Sequence, residues 1–206
     1  MTDQSSCGQL FSISSAILCS IFTLPVSAQD VAGIDSLMDL CIPISATGAS
    51  IRAGLPEAGW TKIDKVDAAE PLRNLVASQM WFLESASTPQ QRLSLTSDYV
   101  NAFYASLGNS TLGPIFTFDD QVAMVLADDA NISCIWAGPE DDALTDRINA
   151  VGDFPAADGT VTAARTQTVE AGGSDYTRIE TYAFIAADER AGPLPFAARL
   201  DRSPVQ

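Results

Sequence analysis

Gln121–Pro139 reads QVAMVLADDANISCIWAGP, and the reading of the fold turns on this stretch. It is the densest apolar segment after residues 10–24. Val122, Met124 and Leu126 alternate on one face, and Ile132, Cys134 and Trp136 do so in the following run, which predicts a β-hairpin. A two-residue loop would set Leu126 against Ser133 and mismatch the apolar faces. A three-residue loop, Asp129-Ala130-Asn131, sets Leu126 opposite Cys134 and Met124 opposite Trp136, and Asn131 tolerates the left-handed backbone such a loop requires. The second register is therefore expected. It turns Cys134 and Trp136 toward the core and lets Cys134 clamp the hairpin to a helix near Cys41.

Downstream, Gly138-Pro139 closes the strand, and Glu140, Asp141 and Asp142 load acids onto the start of a short helix reaching about Val151, where they complement the helix dipole. Residues 160–171 and 174–187 flank Gly172-Gly173, which signals a tight two-residue hairpin. That turn pairs Val161 with Phe184, Ala163 with Tyr182, Arg165 with Glu180 and Val169 with Tyr176. Thr166 with Ile179 and Thr168 with Thr177 form its half-exposed other face. Pro195–Leu200 reads as a last edge strand, its prolines blunting the edge, with a loose tail beyond Asp201.

Upstream, Asp30 is a natural N-cap, and Val31, Ile34, Leu37, Met38 and Cys41 share one helical face until Ile42-Pro43 ends it. A second helix is expected from about Gly48 to Ala58, with Ile51 and Leu55 inward, Pro56 bending or ending it, Gly59 at C′ and Trp60 as an anchor. From Pro71, the positions Leu72, Leu75, Val76, Gln79, Met80 and Leu83 recur at i, i+3, i+4, i+7, i+8 and i+11, an amphipathic helix with proline in its first turn. Thr88-Pro89-Gln90-Gln91 is a capping box opening another helix, with Leu93, Val100, Phe103 and Leu107 inward, Gly108 at its end and a break conceivable at Ser97-Asp98. Trp81, Phe82, Tyr99, Phe103 and Tyr104 read as interhelical packing.

Residues 10–24 (LFSISSAILCSIFTL) have the length of a secretory h-region, and Val26-Ser27-Ala28 places small residues at −3 and −1. Cleavage is expected after Ala28, leaving a single domain over residues 29–206. The run is short for a membrane span, which needs roughly 20 apolar residues, so no stable membrane insertion is expected after cleavage. The n-region carries Asp3 and no Lys or Arg, which departs from the usual leader. Cys19 follows bulky Ile17-Leu18, against lipoprotein processing.

Loss of the leader removes Cys7 and Cys19, and two cysteines in an oxidising compartment read as one disulfide, Cys41–Cys134. The leader carries one acid and no base, so the net charge goes from −15 to −14 on cleavage. Such a charge keeps a protein soluble and disfavours nucleic acid. It also suits a cationic partner.

The chain contains no histidine, which excludes Ser-His-Asp, Cys-His and His-metal chemistry within it. The two lysines past the leader, Lys62 and Lys65, read as solvated, and neither S-x-x-K, G-x-G-x-x-G nor a Walker sequence occurs. Paired carboxylates could support glycoside hydrolysis, but an acid-rich chain holds many such pairs by chance. Asp119-Asp120, Asp128-Asp129 and Asp158-Gly159 raise the question of calcium. No EF-hand spacing fits, since Arg165 stands where the closing glutamate would be. No metal or cofactor is expected.

Cys41 at the end of the first helix, Gly48, and Gly59-Trp60 after the second form a pattern that resembles small exported proteins of Gram-negative bacteria with no established function. The resemblance spans roughly residues 37–60 and, more loosely, the CIWAGP strand. It implies the disulfide and the exported compartment, and carries over no catalytic residue.

The expected fold is α+β: N-terminal helices packed on one face of an antiparallel sheet of four or five strands. The expected function is that of an exported periplasmic binding or accessory protein without enzymatic activity. An acidic inhibitor or immunity-type protein would instead use Asp128, Asp129, Glu140, Asp141 and Asp142 against a basic protein, and a carboxylate-dependent hydrolase is a third reading.

Overall fold

The computed structural model describes residues 33–84, 87–139, 142–151, 154–155, 160–185 and 194–205, and the predicted leader lies outside them. Helices α1 (Gly33–Cys41) and α2 (Gly48–Glu57) come first, followed by β1 (Thr61–Ile63), a 3₁₀ turn, α3 (Ala69–Leu83) and α4 (Pro89–Ser106). Strands β2 (Ile115–Phe118), β3 (Gln121–Ala127) and β4 (Ile132–Gly138) form a meander. Then come α5 (Asp142–Val151), the two-residue β5 (Phe154–Pro155), β6 (Thr160–Ala171), β7 (Ser174–Ile185) and β8 (Phe196–Pro204). The class is α+β. Among the described residues the strands make one antiparallel sheet of order β1-β2-β3-β4-β8-β7-β6-β5. This is wider than the four or five strands expected: the short β1, β2 and β5 carry too few residues to show a period.

The helices do not share one face. Ile34, Leu37, Met38 and Cys41 of α1, Ile51 and Leu55 of α2, and Leu144 and Ile148 of α5 cluster with Ala123, Val125, Cys134, Trp136, Tyr182 and Leu200. Leu72, Leu75, Val76 and Met80 of α3 cluster with Ile115, Val122, Met124, Ile135 and Ala137, and α4 packs Leu95, Tyr99 and Phe103 against that second cluster. Successive strand residues point to opposite faces, so the sheet is a middle layer with α1, α2 and α5 on one side and α3 and α4 on the other. This corrects the single-face arrangement. It also explains the near-continuous apolar run of Gln121–Ala127, since a strand covered on both faces has no polar side to show.

Two-sided burial also overturns the expected hairpin register. Leu126 lies opposite Ser133, Val125 opposite Cys134 and Ala123 opposite Trp136. The faces still match, because Val125 and Ala123 are as apolar as the alternates. The turn itself selects this pairing. Asp128 N–H donates to the Asn131 carbonyl at 3.1 Å, and one carboxylate oxygen of Asp128 accepts from the backbone N–H of Ala130 at 2.8 Å and of Asn131 at 2.7 Å. Asp129-Ala130 is thus the tip, framed by an Asx-type bond network.

The second hairpin has the expected register throughout, from Val161 opposite Phe184 to Val169 opposite Tyr176, with Gly172 and Gly173 both at positive φ in the turn. Arg165 pairs with Glu180 at 2.7 Å. The last strand is not an edge. β8 lies between β4 and β7 and runs through Asp201 to Pro204, so the segment read as a loose tail is the sheet's centre. Arg202 fixes it there by donating to the carbonyls of Pro43 (2.6 Å) and Ala46 in the loop after α1.

Smaller expectations divide similarly. The Thr88–Gln91 capping box is present, and α4 continues through Ser97-Asp98 without a break. Leu93 is exposed rather than inward, its place taken by Leu95, because the inner face of α4 is set by Tyr99 and Phe103. The N-cap at Asp30 and the side chains of Trp81, Phe82 and Leu83 lie outside what is described.

The disulfide joins Cys41 to Cys134 across 93 residues of chain, linking the last residue of α1 to the central strand β4. Around it the residues of the family-like pattern acquire physical roles. A β-carbon on Gly48 would sit 2.2 Å from the Ala127 β-carbon, so α2 can rest on β3 only through glycine. Gly59 takes φ +91 beside the Phe118 ring, and Trp60 is buried with its indole N–H donating to Ser36 Oγ at 2.9 Å. Trp136 lays its ring over Gly138, where a β-carbon would come within 2.4 Å of Cζ2. Cys-Ile-Trp-Ala-Gly is thus a packing unit: bridge, indole and the gap that admits it.

Candidate functional site

Between α3, α4 and the sheet lies a pocket of about 210 Å³. Leu75, Val76 and Gln79 come from α3, Tyr99 and Phe103 from α4, Met124 and Leu126 from β3, Ile135 from β4 and Arg199 from β8. Each wall follows from local pattern. The i, i+3, i+4 spacing of α3 turns Leu75, Val76 and Gln79 to the sheet, and i, i+4 spacing brings Tyr99 and Phe103 together as an edge-to-face pair at 6.0 Å. An apolar cavity of about 150 Å³ is already enough to hold benzene.

Gln79 is the exception among these walls. It is 3% exposed, and its Nε2 donates to the Trp136 carbonyl at 3.1 Å. That carbonyl can only accept, so the amide nitrogen must face it. Gln79 Oε1 is then left without a hydrogen-bond partner among the described residues. Tyr99 does not serve it: the phenol donates to Glu84 Oε1 at 3.2 Å, and the Glu84 bond and charge hold its pKa above the ordinary tyrosine value. Of the β8 wall, Arg199 Nε lies 2.9 and 2.7 Å from the two oxygens of Asp201, and Ser133 Oγ also donates to Asp201. The guanidinium charge is thereby balanced within the protein.

Of the acidic residues singled out in the sequence, the described ones do not assemble into one site. Asp128 spends its carboxylate on the turn, and those bonds, from the Asn131 side chain first and then the backbone N–H groups of Ala130 and Asn131, hold its pKa below the usual range. Asp129 is exposed at the tip, and Asp142 is exposed in the first turn of α5. They sit beyond opposite ends of β4, whose seven residues span about 20 Å. Glu140, Asp141 and Asp158 lie outside the described residues. Asp119-Asp120 form the two-residue β2–β3 turn, with Asp119 at φ 48. Among the described residues no group of three or more His, Cys, Asp or Glu could hold a metal ion.

Other polar groups are structural. Lys65 Nζ donates to the Ala105 carbonyl near the end of α4 and stands 5.3 Å over the Tyr104 ring. Glu180 is 2% exposed and is held by Arg165, by the Tyr182 hydroxyl at 2.8 Å and by Arg178 Nε at 3.3 Å. Burial, then the bond to Glu180, pushes the Tyr182 phenol up to about 12.

The pocket was not among the sequence-derived site residues. Its signal was present in Gln79, a polar residue at an inward position of an otherwise apolar helical stripe. Among the described residues no helix is long and apolar enough to cross a membrane. No family model, curated protein or solved structure matches the chain.

Proposed function

We propose that the chain is an exported, non-enzymatic binding protein whose site is the pocket between α3, α4 and the sheet. The observation that carries this reading is a largely apolar concavity with a single buried, unsatisfied carbonyl among its walls. Ligand sites typically combine an apolar lining with few polar groups that fix orientation. Among the described lining residues no nucleophile stands beside a base, an arrangement that acyl or glycosyl transfer would need. The compartment follows from the leader and fits the disulfide, which persists in oxidising surroundings.

The test is titration with an environment-sensitive apolar dye such as N-phenyl-1-naphthylamine. The protein is expected to enhance its emission with saturable, 1:1 binding. Val76→Trp, which places an indole where the α3 wall faces the sheet, should weaken that binding at least about tenfold while preserving the cooperative melt, the cost of an overpacked but otherwise intact wall being about 1–3 kcal/mol. Saturable binding that ignores the substitution would move the site elsewhere.

The reading as an acidic inhibitor of a basic protein rests on net charge, −15 over the whole chain. Its mark would be association that weakens steeply with salt. The wide separation of Asp129 from Asp142 gives it no single contact surface.

A further inference from the structure

Apolar lining alone does not require Gln79; leucine or methionine would line the pocket without bringing an unpaired acceptor into it, at the loss of the bond to the Trp136 carbonyl. A buried acceptor without a donor is costly and rare in native structures. Here the amide's other end is anchored to the Trp136 carbonyl, so the side chain cannot turn its oxygen away without losing that bond. Charge narrows what could meet it. Arg199, the cation among the lining residues, already has its charge balanced by Asp201, so it offers an anion little net attraction. Among the described residues no carboxylate lines the pocket to receive a cation. An ionised group placed among Leu75, Val76, Met124, Leu126 and Ile135 would be desolvated without compensation.

We propose that the pocket takes an uncharged amphiphile, an apolar ring or short alkyl chain bearing one hydroxyl, and that this hydroxyl donates to Gln79 Oε1. The assignment rests on the binding reading above and adds the chemistry of the ligand to it. Gln79 is then the residue that selects among apolar molecules. A site with a polar group to satisfy discriminates between hydroxyl and capped analogues far more sharply than apolar contact discriminates by size.

The experiment is calorimetric titration of the protein with 4-propylphenol and with its methyl ether, 4-propylanisole, repeated on Gln79→Met. The phenol is expected to bind the wild type roughly tenfold tighter than the ether, the worth of one well-made bond to a buried acceptor. In Gln79→Met the ratio should fall toward one. Equal affinities in the wild type would overturn the hydroxyl assignment, water then satisfying the carbonyl, while the binding reading would stand. A ratio unchanged by Gln79→Met would overturn it equally, because the selectivity would come from another group. Binding of neither probe would remove both readings. Should Gln79→Met fail to fold, the wild-type ratio decides alone.

Discussion

Replacing Cys41 and Cys134 together by alanine is expected to lower the unfolding free energy by about 4 kcal/mol and Tm by on the order of 10 °C. The bridge closes 93 residues, a loop long enough for the chain-entropy argument to give a large effect. Its path explains why. Between the two cysteines the chain lays down α2, crosses to the far face as α3 and α4, and returns through β2 and β3. The bridge therefore constrains both helical layers around the central strand, and both sulfurs are fully buried. Thermal and urea melts of the oxidised protein, the reduced protein and the double variant check this. The reduced protein and the variant should coincide, both well below the oxidised form. A Tm insensitive to reduction would contradict the account.

Trp136→Ala should cost about 3–5 kcal/mol, the range for truncating a fully buried aromatic side chain. The indole is wholly buried within the cluster shared by α1, α2, α5 and the sheet, and its N–H donates to Gln121 Oε1 at 2.8 Å. Trp136→Phe keeps most of the packing and loses the bond, for about 1–2 kcal/mol. Urea unfolding of the two variants separates packing from hydrogen bonding. Trp136 and Cys134 sit two residues apart on the same face of β4, so their losses should not add. An alanine variant within 1 kcal/mol of wild type would mean that the ring is not the core element described here, since a gap of that size is expected to cost about 3 kcal/mol at least.

The sequence carried much of the local structure, because that structure is encoded locally. The i, i+3, i+4 stripe from Leu72 placed α3, Thr88-Pro89-Gln90-Gln91 placed the start of α4, and Gly172-Gly173 set every pair of the β6–β7 hairpin. The Cys41–Cys134 pairing follows from counting cysteines beyond the expected leader. The larger differences arise from tertiary context. The β3–β4 register was argued on the premise of one apolar face, whereas Ala123, Val125, Ile135 and Ala137 are as buried as their neighbours. That every residue from Val122 to Ala127 is apolar was the available sign of helices on both sides. The prolines of Pro195–Leu200 point to a blunted edge, yet Pro195 only precedes the strand, and Phe196–Leu200 is central. No periodicity within Phe196–Pro204 could reveal that position, since strand order is a property of long-range pairing.

In the sequence the candidate site is legible in one residue only. Gln79 appeared as one more member of a helical stripe, though an amide at an inward position must find partners or wait for one. The acidic clusters drew attention through charge, and geometry disperses them: Asp128 closes a turn, and Asp129 and Asp142 stand beyond opposite ends of a strand. Charge is countable in a sequence. Convergence of walls from α3, α4, β3, β4 and β8 is not.

Ligand binding between α3, α4 and the sheet is read most directly by a methyl-detected NMR titration of the protein, labelled at Met, Leu, Ile and Val, with 4-propylphenol. Saturable shifts are expected at Leu75, Val76, Met124, Leu126 and Ile135, with Leu37, Ile51 and Leu144 on the opposite face unmoved. Shifts confined to that opposite face, or none at ligand excess, would contradict it.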